Sequence, residues 1–563
     1  MALSNNDGQF KIENLPIVGA YNKQRFPQWC PEDTANFYIV KGEDTKKPYA
    51  MYPTLGRAHV NYNGINQLVF GAEPRGIFKS INYLYVVEGS TIYQFDNQYN
   101  RKVITGLGTN SGILYFTFLV VNSLIFTVFV DQQHIYIYQE GTPALQLVTD
   151  PLAPGNYVDT ITGKPTLPGY IASFGNRIVV SVLNSSQFIL SAINLQGKGA
   201  ANPVGYNFDP AKCFTNFTTD QVFATEDGII RQMGVLNNTL YIFTDYITGV
   251  WSNIPAVFSG TGATFPWKKN TTYNWNFGIA NSSSLDIDFG IMVFLARNSD
   301  GLLEFRMSNG GQPEKISDKS IDTLLQNYTN ALSGDNPFLV QNSNGFLYQY
   351  ENTIFYRMSG GEYYGYGLLD QEQTADSIEY SFESKEWHRV IEQNGERNRV
   401  QNHVYFNYMH LVTVTGDSTV YNMSGQYYSN EIRNPDQPNN QDQTAYLIQP
   451  FRYERTTPIL YQQDYSEFET EYVQIDFVFG NNDLNNPDFT PSIELFWSDD
   501  GGISFNSADH REFSPTGLYS WRMRWYQLGC SRNRVYKLVC VSSVPIVVLG
   551  GCMNMRRSSG GAN

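Results

Sequence analysis

Ile493-Glu494-Leu495-Phe496-Trp497-Ser498-Asp499-Asp500-Gly501-Gly502-Ile503-Ser504-Phe505 is the stretch whose reading decides the fold. Apolar and polar residues alternate from Ile493 to Trp497, and alternation resumes at Ile503-Ser504-Phe505. A period of two puts successive side chains on opposite faces of a strand. Between the two runs, glycine supplies positive φ and aspartate caps the turn with its own carboxylate. The stretch therefore reads as a β-hairpin. Two further strands are expected around Arg534-Val535-Tyr536-Lys537-Leu538-Val539 and from Val544 to Leu549.

The whole chain shares this texture. Of its 563 residues, 42% are hydrophobic, only 16% are charged, and 39 Tyr with 36 Phe bring aromatics to 15%. A Tyr-rich, Asn-rich, Lys-poor chain favours strands and turns over helices. The class is all-β.

Ser498-x-Asp500-x-Gly502-x-Ser504-Phe505 also fits the Asp box carried by hairpins of sialidase-like β-propellers. In that motif the aspartate accepts backbone N–H groups across the turn, so its work is architectural. A catalytic carboxylate is the competing reading, but the motif occurs on propellers of unrelated function and speaks to fold alone. Apolar strand pairs recur from Ile81 to Phe95, Leu124 to Tyr138, Arg177 to Leu190 and Thr239 to Trp251. More follow from Ile291 to Met307, Phe346 to Met358 and Val404 to Met423. Irregular spacing of roughly 40–65 residues suits propeller blades with loop insertions. Stacked β-sandwiches would give a similar pattern; the Asp-box-like hairpin favours the propeller.

The expected organisation is an extended N-terminal arm over 1–50, a β-propeller over 51–430 and a linker over 431–445. A C-terminal β-rich, sandwich-like platform over 446–555 and a disordered tail over 556–563 complete it. Asn434 to Gln443 holds two prolines and no apolar residue, which is why it reads as a linker. Two long loop insertions, about 196–220 and 252–284, are rich in Asn, Gly, Thr and aromatics and suit exposed contact surfaces. Ile321 to Tyr328 is the best helix candidate, with Asp318 or Ser320 as its cap. Ile113 to Val130 is long and apolar enough to raise a membrane helix, but Asn122-Ser123 interrupts β-branched and aromatic residues at its centre. Two buried strands joined there explain both facts.

The net charge of −15 argues against a protein that grips nucleic acid along its phosphates. It is compatible with an acidic channel through which a duplex slides without sticking. Asp286, Asp288, Glu304 and Glu314 are candidates for its lining. Cys30, Cys213, Cys530, Cys540 and Cys552 form no Cys-x-x-Cys pair, and no histidine stands at zinc-ligand spacing, so free thiols and no metal are expected. Met1 to Lys11 has no apolar run of the kind that opens a signal peptide.

A sialidase would need an arginine cluster and a Phe-Arg-Ile-Pro motif. The nearest strings are Phe305-Arg306-Met307-Ser308 and Phe451-Arg452-Tyr453-Glu454. Carboxylate pairs such as Asp286 with Asp288 read as solvated faces, and no dinucleotide or P-loop fingerprint is present. No catalytic residue and no cofactor are expected. Arg522, Arg524, Arg532, Arg534 and Lys537 form the densest basic cluster, interleaved with Trp521, Trp525 and Tyr536. Phosphate binding is one reading. Docking against an acidic neighbouring subunit is the other, and the acidic chain favours it.

The order of hairpin, Trp-rich strand, Leu528-Gly529, Arg532-Asn533-Arg534-Val535 and a final apolar strand resembles the packaged-DNA stabilisation protein of short-tailed bacteriophages, the tail hub or nozzle. Two further stretches fit that family: Lys315 to Tyr328, and Cys30-Pro31-Glu32-Asp33-Thr34-Ala35-Asn36-Phe37-Tyr38 leading to Ala50 to Gly56. The resemblance implies a non-enzymatic virion tail protein, assembled in the host cytoplasm as a ring of six copies below the portal and adaptor proteins. It also implies contacts with tailspikes or fibres and with a plug or needle, and a lumen that passes duplex DNA without tight binding. A carbohydrate-binding or carbohydrate-cleaving propeller is the alternative.

Overall fold

The computed structural model describes residues 2–3, 10–26, 28–42, 48–60, 68–158, 163–195, 208–214, 223–254, 256–257, 264–265, 267–270, 274–330, 342–364, 372–434, 446–479, 490–512 and 520–557. The chain divides into two compact units. One spans Val60–Ile316 and Gln401–Val420; the other comprises Met1–His59, Ser317–Val400 and Tyr421–Asn563.

The first unit is a β-propeller. Its first blade is an antiparallel meander of Gly76–Lys79, Leu84–Glu88, Thr91–Phe95 and Arg101–Thr105. Tyr115–Val121, Leu124–Val130, Ile135–Gln139 and Gln146–Leu147 make the second. The third is Pro168–Phe174, Arg177–Val182, Gln187–Leu190 and Phe223–Thr225, and the fourth Ile230–Leu236, Thr239–Thr244, Thr248–Ser252 and Lys268–Lys269. The fifth is built on Ile291–Arg297 and Leu303–Ser308. A sixth joins both ends of the unit: Val69 bridges Thr419, beside the strand Met409–Val414, and Phe70 N–H donates to the Ser418 carbonyl at 2.9 Å.

Apolar side chains pack between successive sheets, from the sixth through the first to the fifth. Val86 and Phe95 of the first blade pack with Val404 and Phe406 of the sixth, and Tyr85 and Ile92 with Phe129 and Tyr138 of the second. Val128 and Ile137 meet Val180 and Ile189, Phe188 meets Ile242 and Trp251, and Phe243 meets Phe294. Each blade buries on its neighbours what it cannot bury alone.

Asn122 and Ser123 join two antiparallel strands with φ of 48° and 66°, the backbone of a type I′ hairpin turn; Leu124–Val130 is buried as expected, whereas Tyr115–Val121 is mostly half-buried. Among the described residues no helix is long and apolar enough to cross a membrane. The first expected insertion falls before the fourth strand of the third blade, while the second, 252–284, contains the fourth strand of the fourth blade, Lys268–Lys269, and runs past it. The second is not simply an exposed surface, because Trp267 and Trp275 within it are buried. Residues 196–207 and 215–220 of the first lie outside the described residues.

The second unit contains a β-sandwich. One sheet runs Phe37–Lys41, Tyr49–Pro53, Ile546–Arg557, Phe468–Phe479 and Ser520–Tyr526, with Lys11–Leu15 also laid along Ile546–Arg557. The facing strands are Tyr446–Thr456, Val535–Ser542, Ser492–Ser498 and Asn506–Glu512. Alternation sends Val473, Ile475 and Phe477 from one sheet, and Tyr453, Ile493, Leu495 and Leu538 from the other, into one core. The helix Lys319–Asn330 covers the expected Ile321 to Tyr328, and Asp318 Oδ1 accepts from Ile321 N–H at 2.9 Å as its cap.

Three boundaries differ from those expected, for one reason. The strand Asp33–Ala35 lies between Glu386–Val390 and Tyr446–Thr456 in a single ladder, so N-terminal, central and C-terminal segments belong together. Residues 1–50 are therefore no free arm: Leu15, Ile17 and Phe37 sit in the sandwich core. Nor does the stretch 431–445 separate two domains, since Arg433 and Tyr446 pair across one antiparallel ladder; residues 435–445 lie outside the described residues. The strand pair from Phe346 to Met358 belongs to the sandwich-bearing unit and not to a blade. Of the expected tail 556–563, Arg556 and Arg557 end a strand, and the remainder lies outside the described residues.

Candidate functional site

The hairpin that points to a propeller in the sequence sits on the sandwich instead. Its second strand begins at Asn506, so Ile503-Ser504-Phe505 belongs to a long turn. Asp500 closes that turn. Oδ1 accepts N–H bonds from Ile503 and Ser504, each at 3.0 Å, and Oδ2 accepts the Ser504 hydroxyl at 2.5 Å. Ser498 Oγ lies 2.6 Å from Asp500 Oδ1 and accepts from Gly502 N–H at 2.8 Å. These bonds hold the Asp500 carboxyl well below the usual carboxylate range, the Ser498 and Ser504 hydroxyls contributing most. A carboxylate so occupied is a staple. Phe505 ends the turn and leads into the second strand.

The turn rests on the N-terminal segment. Gly501 and Gly502 have φ of 77° and 93°, and a Cβ on Gly502 would stand 2.8 Å from Pro31 Cβ. One on Gly501 would stand 3.1 Å from Gln28 Cα. The quoted Cys30-Pro31 stretch and the Ser498 to Phe505 turn are thus packed together.

A second junction ties in the helix. Arg389 holds Asp33 through two bonds and reaches Asp376 Oδ1 at 3.4 Å. Tyr328 hydroxyl donates to Asp376 Oδ2 at 2.6 Å and accepts from Asp376 N–H at 2.8 Å. Burial alone would push the Asp33 carboxyl up, but the Arg389 guanidinium brings it below its ordinary value. Burial pushes the nearby Tyr21 phenol up, helped by the Asp33 charge. A cavity of about 220 Å³ lined by Tyr21, Lys23, Arg25, Asp33, Asp376 and Arg389 opens beside this junction. It is below the size usual for small-molecule sites.

Arg455 forms a third knot. It is fully buried, and its guanidinium donates to the carbonyls of Ile17 at 2.8 Å and Ala20 at 3.0 Å, to Thr34 Oγ1 at 3.0 Å and to Glu32 Oε1 at 2.5 Å. Arg389, Asp376 and Arg455 were not singled out by sequence reasoning. Each stands among other charged residues, Arg389 after Lys385 and Glu386 and Arg455 after Arg452 and Glu454, and no local pattern sets it apart.

The basic cluster does not survive as one patch. Arg534 is buried, donating to Asp499 Oδ1 at 2.7 Å and to the Leu528 carbonyl at 2.7 Å. Lys537 pairs with Glu454 at 2.9 Å. Arg522 and Arg524 project from the solvent face of Ser520–Tyr526, whereas Met523 and Trp525, one residue out of phase, are buried and Trp521 packs partly against the same core. Alternation therefore puts the indoles and the guanidinium groups on opposite faces, and the aromatic partner of Arg524 on the solvent face is Tyr472, 4.9 Å away and packed with Tyr526. Arg524 donates to Gln474 Oε1 at 2.7 Å, Arg522 is 3.8 Å from Asp476, and Arg532 is exposed.

Of the suggested channel acids, Glu304 is buried against Arg306 at 2.7 Å and Lys315 at 3.6 Å, so it cannot face a lumen as a free charge. Asp288 and Glu314 are exposed and Asp286 is half-buried. Among the described residues no group of three or more His, Cys, Asp or Glu is placed to hold a metal ion.

No protein-family model matches the chain, and no curated protein matches it. Among solved structures it is similar to YCF48 from Cyanidioschyzon merolae, at 12% identity over 63% of this chain and 98% of that one, with a TM-score of 0.30. Kluyveromyces lactis Hsv2 is similar at 10% identity over 64% and 97%, with a TM-score of 0.25. A glycoside hydrolase family 43 arabinoxylan arabinofuranohydrolase from Bacillus subtilis is similar at 7% identity over 93% and 96%, with a TM-score of 0.21. Likenesses at this level carry no argument, and among the described residues the propeller rests on its five separate blade sheets, the hairpin Val400–Phe406 and Met409–Val414, and the cores between them.

Proposed function

We propose that this chain is a structural virion protein, the tail hub or nozzle of a short-tailed bacteriophage. It extends the portal–adaptor channel, retains packaged DNA and anchors tailspikes or fibres and a plug or needle. One observation carries the reading: the separate stretches on which the resemblance rests meet in one unit. Asp33 from the Cys30–Tyr38 stretch and Tyr328 from the Lys315–Tyr328 stretch converge on Arg389 and Asp376, and Gly502 from the hairpin packs on Pro31. Residues more than 450 positions apart are thus packed together. The greater part of the net charge of −15 also belongs to this unit, which suits a surface that passes DNA without holding it.

The sialidase-like alternative has less to stand on. Asp500 is occupied by its own turn, Arg306 is engaged by Glu304 and the Pro313 carbonyl, and Arg452 by Glu454. A non-enzymatic, cofactor-free protein is the reading we adopt. Mass measurement of the purified protein, alone and with adaptor-bound capsids, tests it. Six copies on the adaptor are expected; a protein that stays monomeric on those capsids contradicts the ring.

A further inference from the structure

Tyr38 and Tyr52 stand opposite one another on the strands Phe37–Lys41 and Tyr49–Pro53, with ring centroids 6.2 Å apart and planes at 33°. The hairpin of Asn344–Tyr350 and Thr353–Ser359 turns at Glu351 and Asn352, whose φ values of 46° and 66° make a tight two-residue turn. Tyr350 and Glu351 line the same cavity as Tyr38 and Tyr52, together with Tyr428 and Phe479. Aliphatic and proline residues complete the lining, and the volume of about 320 Å³ is at the small end for small-molecule sites. A Cβ on Gly425 would stand 2.0 Å from Tyr350 Oη, so glycine is what lets that phenol lie over the backbone. Tyr38 and Phe479 are buried, Tyr350 and Tyr428 half-buried, and Tyr52 and Glu351 exposed, so the lining runs from the core to water.

Among the described residues, Glu351 is the one charged side chain in this lining, with no Lys, Arg or His beside it. Burial first, and then the Glu351 charge, pushes up the phenols of both Tyr38 and Tyr350. The carboxylate's field therefore reaches both rings, and a field that disfavours phenolate favours a cation in the same space. Aromatic faces add to it, because the ring quadrupole attracts positive charge. We propose that this cavity binds a small alkylammonium ion of the choline type, its methyl groups against the aromatic rings and its charge balanced by Glu351. A quaternary ammonium has no N–H to satisfy, which suits walls made of rings, prolines and aliphatic side chains. Ca²⁺ would ask for about six to eight oxygen ligands, which one carboxylate among phenols does not supply.

The site lies wholly within the sandwich-bearing unit, and its occupancy does not depend on the nozzle reading. Calorimetric titration of the full chain with choline, and with dimethylbutanol, in which carbon replaces the nitrogen, tests it. Saturable binding of one choline per chain is expected, with the neutral isostere weaker by at least about tenfold. Tyr350→Leu and Tyr428→Leu should each weaken choline binding by about 3–30-fold, the range of a cation–π contact. Glu351→Gln, a change at an exposed turn, should weaken it by up to about fivefold. Tyr465→Leu, at an exposed ring outside the cavity, should leave it unchanged. The isostere comparison and Glu351→Gln keep the test decisive where a leucine variant fails to fold. Titration with phosphatidylcholine vesicles separates a lipid headgroup from a free ammonium; binding in either form that Glu351→Gln weakens supports the site. Equal binding of choline and its isostere, no binding of choline in either form, or full affinity in Tyr350→Leu or Glu351→Gln would overturn the proposal.

Discussion

Arg389 and Asp33, 356 residues apart in the chain, face each other as a bidentate pair, Nε to Oδ1 at 2.9 Å and Nη2 to Oδ2 at 2.6 Å. Both side chains are largely withdrawn from water, and the pair fixes the register of Asp33–Ala35 beside Glu386–Val390. Arg389→Met should leave Asp33 charged without its partner and destabilise the sandwich-bearing unit by about 3–5 kcal/mol. Adding Asp33→Leu should recover part of that loss, because the two residues act as one unit. Urea denaturation of the single and double variants checks both statements.

Gly19 is required by Arg455. A Cβ there would stand 2.0 Å from Arg455 Nη2 and 2.5 Å from Glu32 Oε1, so even alanine must displace the buried guanidinium from its carbonyl partners. Gly19→Ala should cost about 1–3 kcal/mol as overpacking. Native-state hydrogen exchange should show the loss first in Leu15 to Tyr21. A neutral effect would mean that Arg455 does not hold this segment.

Glu379 makes the unit acid-sensitive. Burial would raise its pKa, but Arg357 at 2.6 Å and His388 at 3.0 Å hold the carboxyl down at about 2. Its folded value lies below the ordinary 4.5, so its contribution is present in full above that pH and is lost as pH falls toward 2. Glu379→Gln should lower stability near neutral pH by about 3–5 kcal/mol, leaving Arg357 buried without its charge. The variant should also show a flatter stability curve between pH 4.5 and 2. An unchanged acid limb would place the sensitivity elsewhere.

Asp500→Ala should lower the melting temperature of the sandwich-bearing unit, because Ile503 and Ser504 N–H groups lose their acceptor. Asp500→Asn should lower it less, keeping one acceptor oxygen. Unchanged melting accompanied by loss of a hydrolytic activity would instead assign Asp500 to catalysis.

Local features were legible in the sequence because they depend on a few adjacent residues. Asn122-Ser123 announced a hairpin, Asp318 a helix cap, and Ser498-x-Asp500-x-Gly502 a stapled turn. What the sequence hid depends on distant partners. The Asp-box-like hairpin led to the propeller although it lies on the sandwich, so the fold was right while this reason for it was not. Asn434 to Gln443 looks like a domain boundary by composition, yet the strands on either side pair with each other. Arg534 reads like Arg532 or Arg522, and only tertiary packing shows that it is buried on Asp499.

The central claim is that this protein closes the channel after packaging. The most direct test is to follow encapsidated DNA over time in particles assembled without it. Heads that fill with DNA and then lose it are the predicted result, restored by the intact chain and only partly by Arg389→Met. Full heads that keep their DNA in its absence would contradict the account.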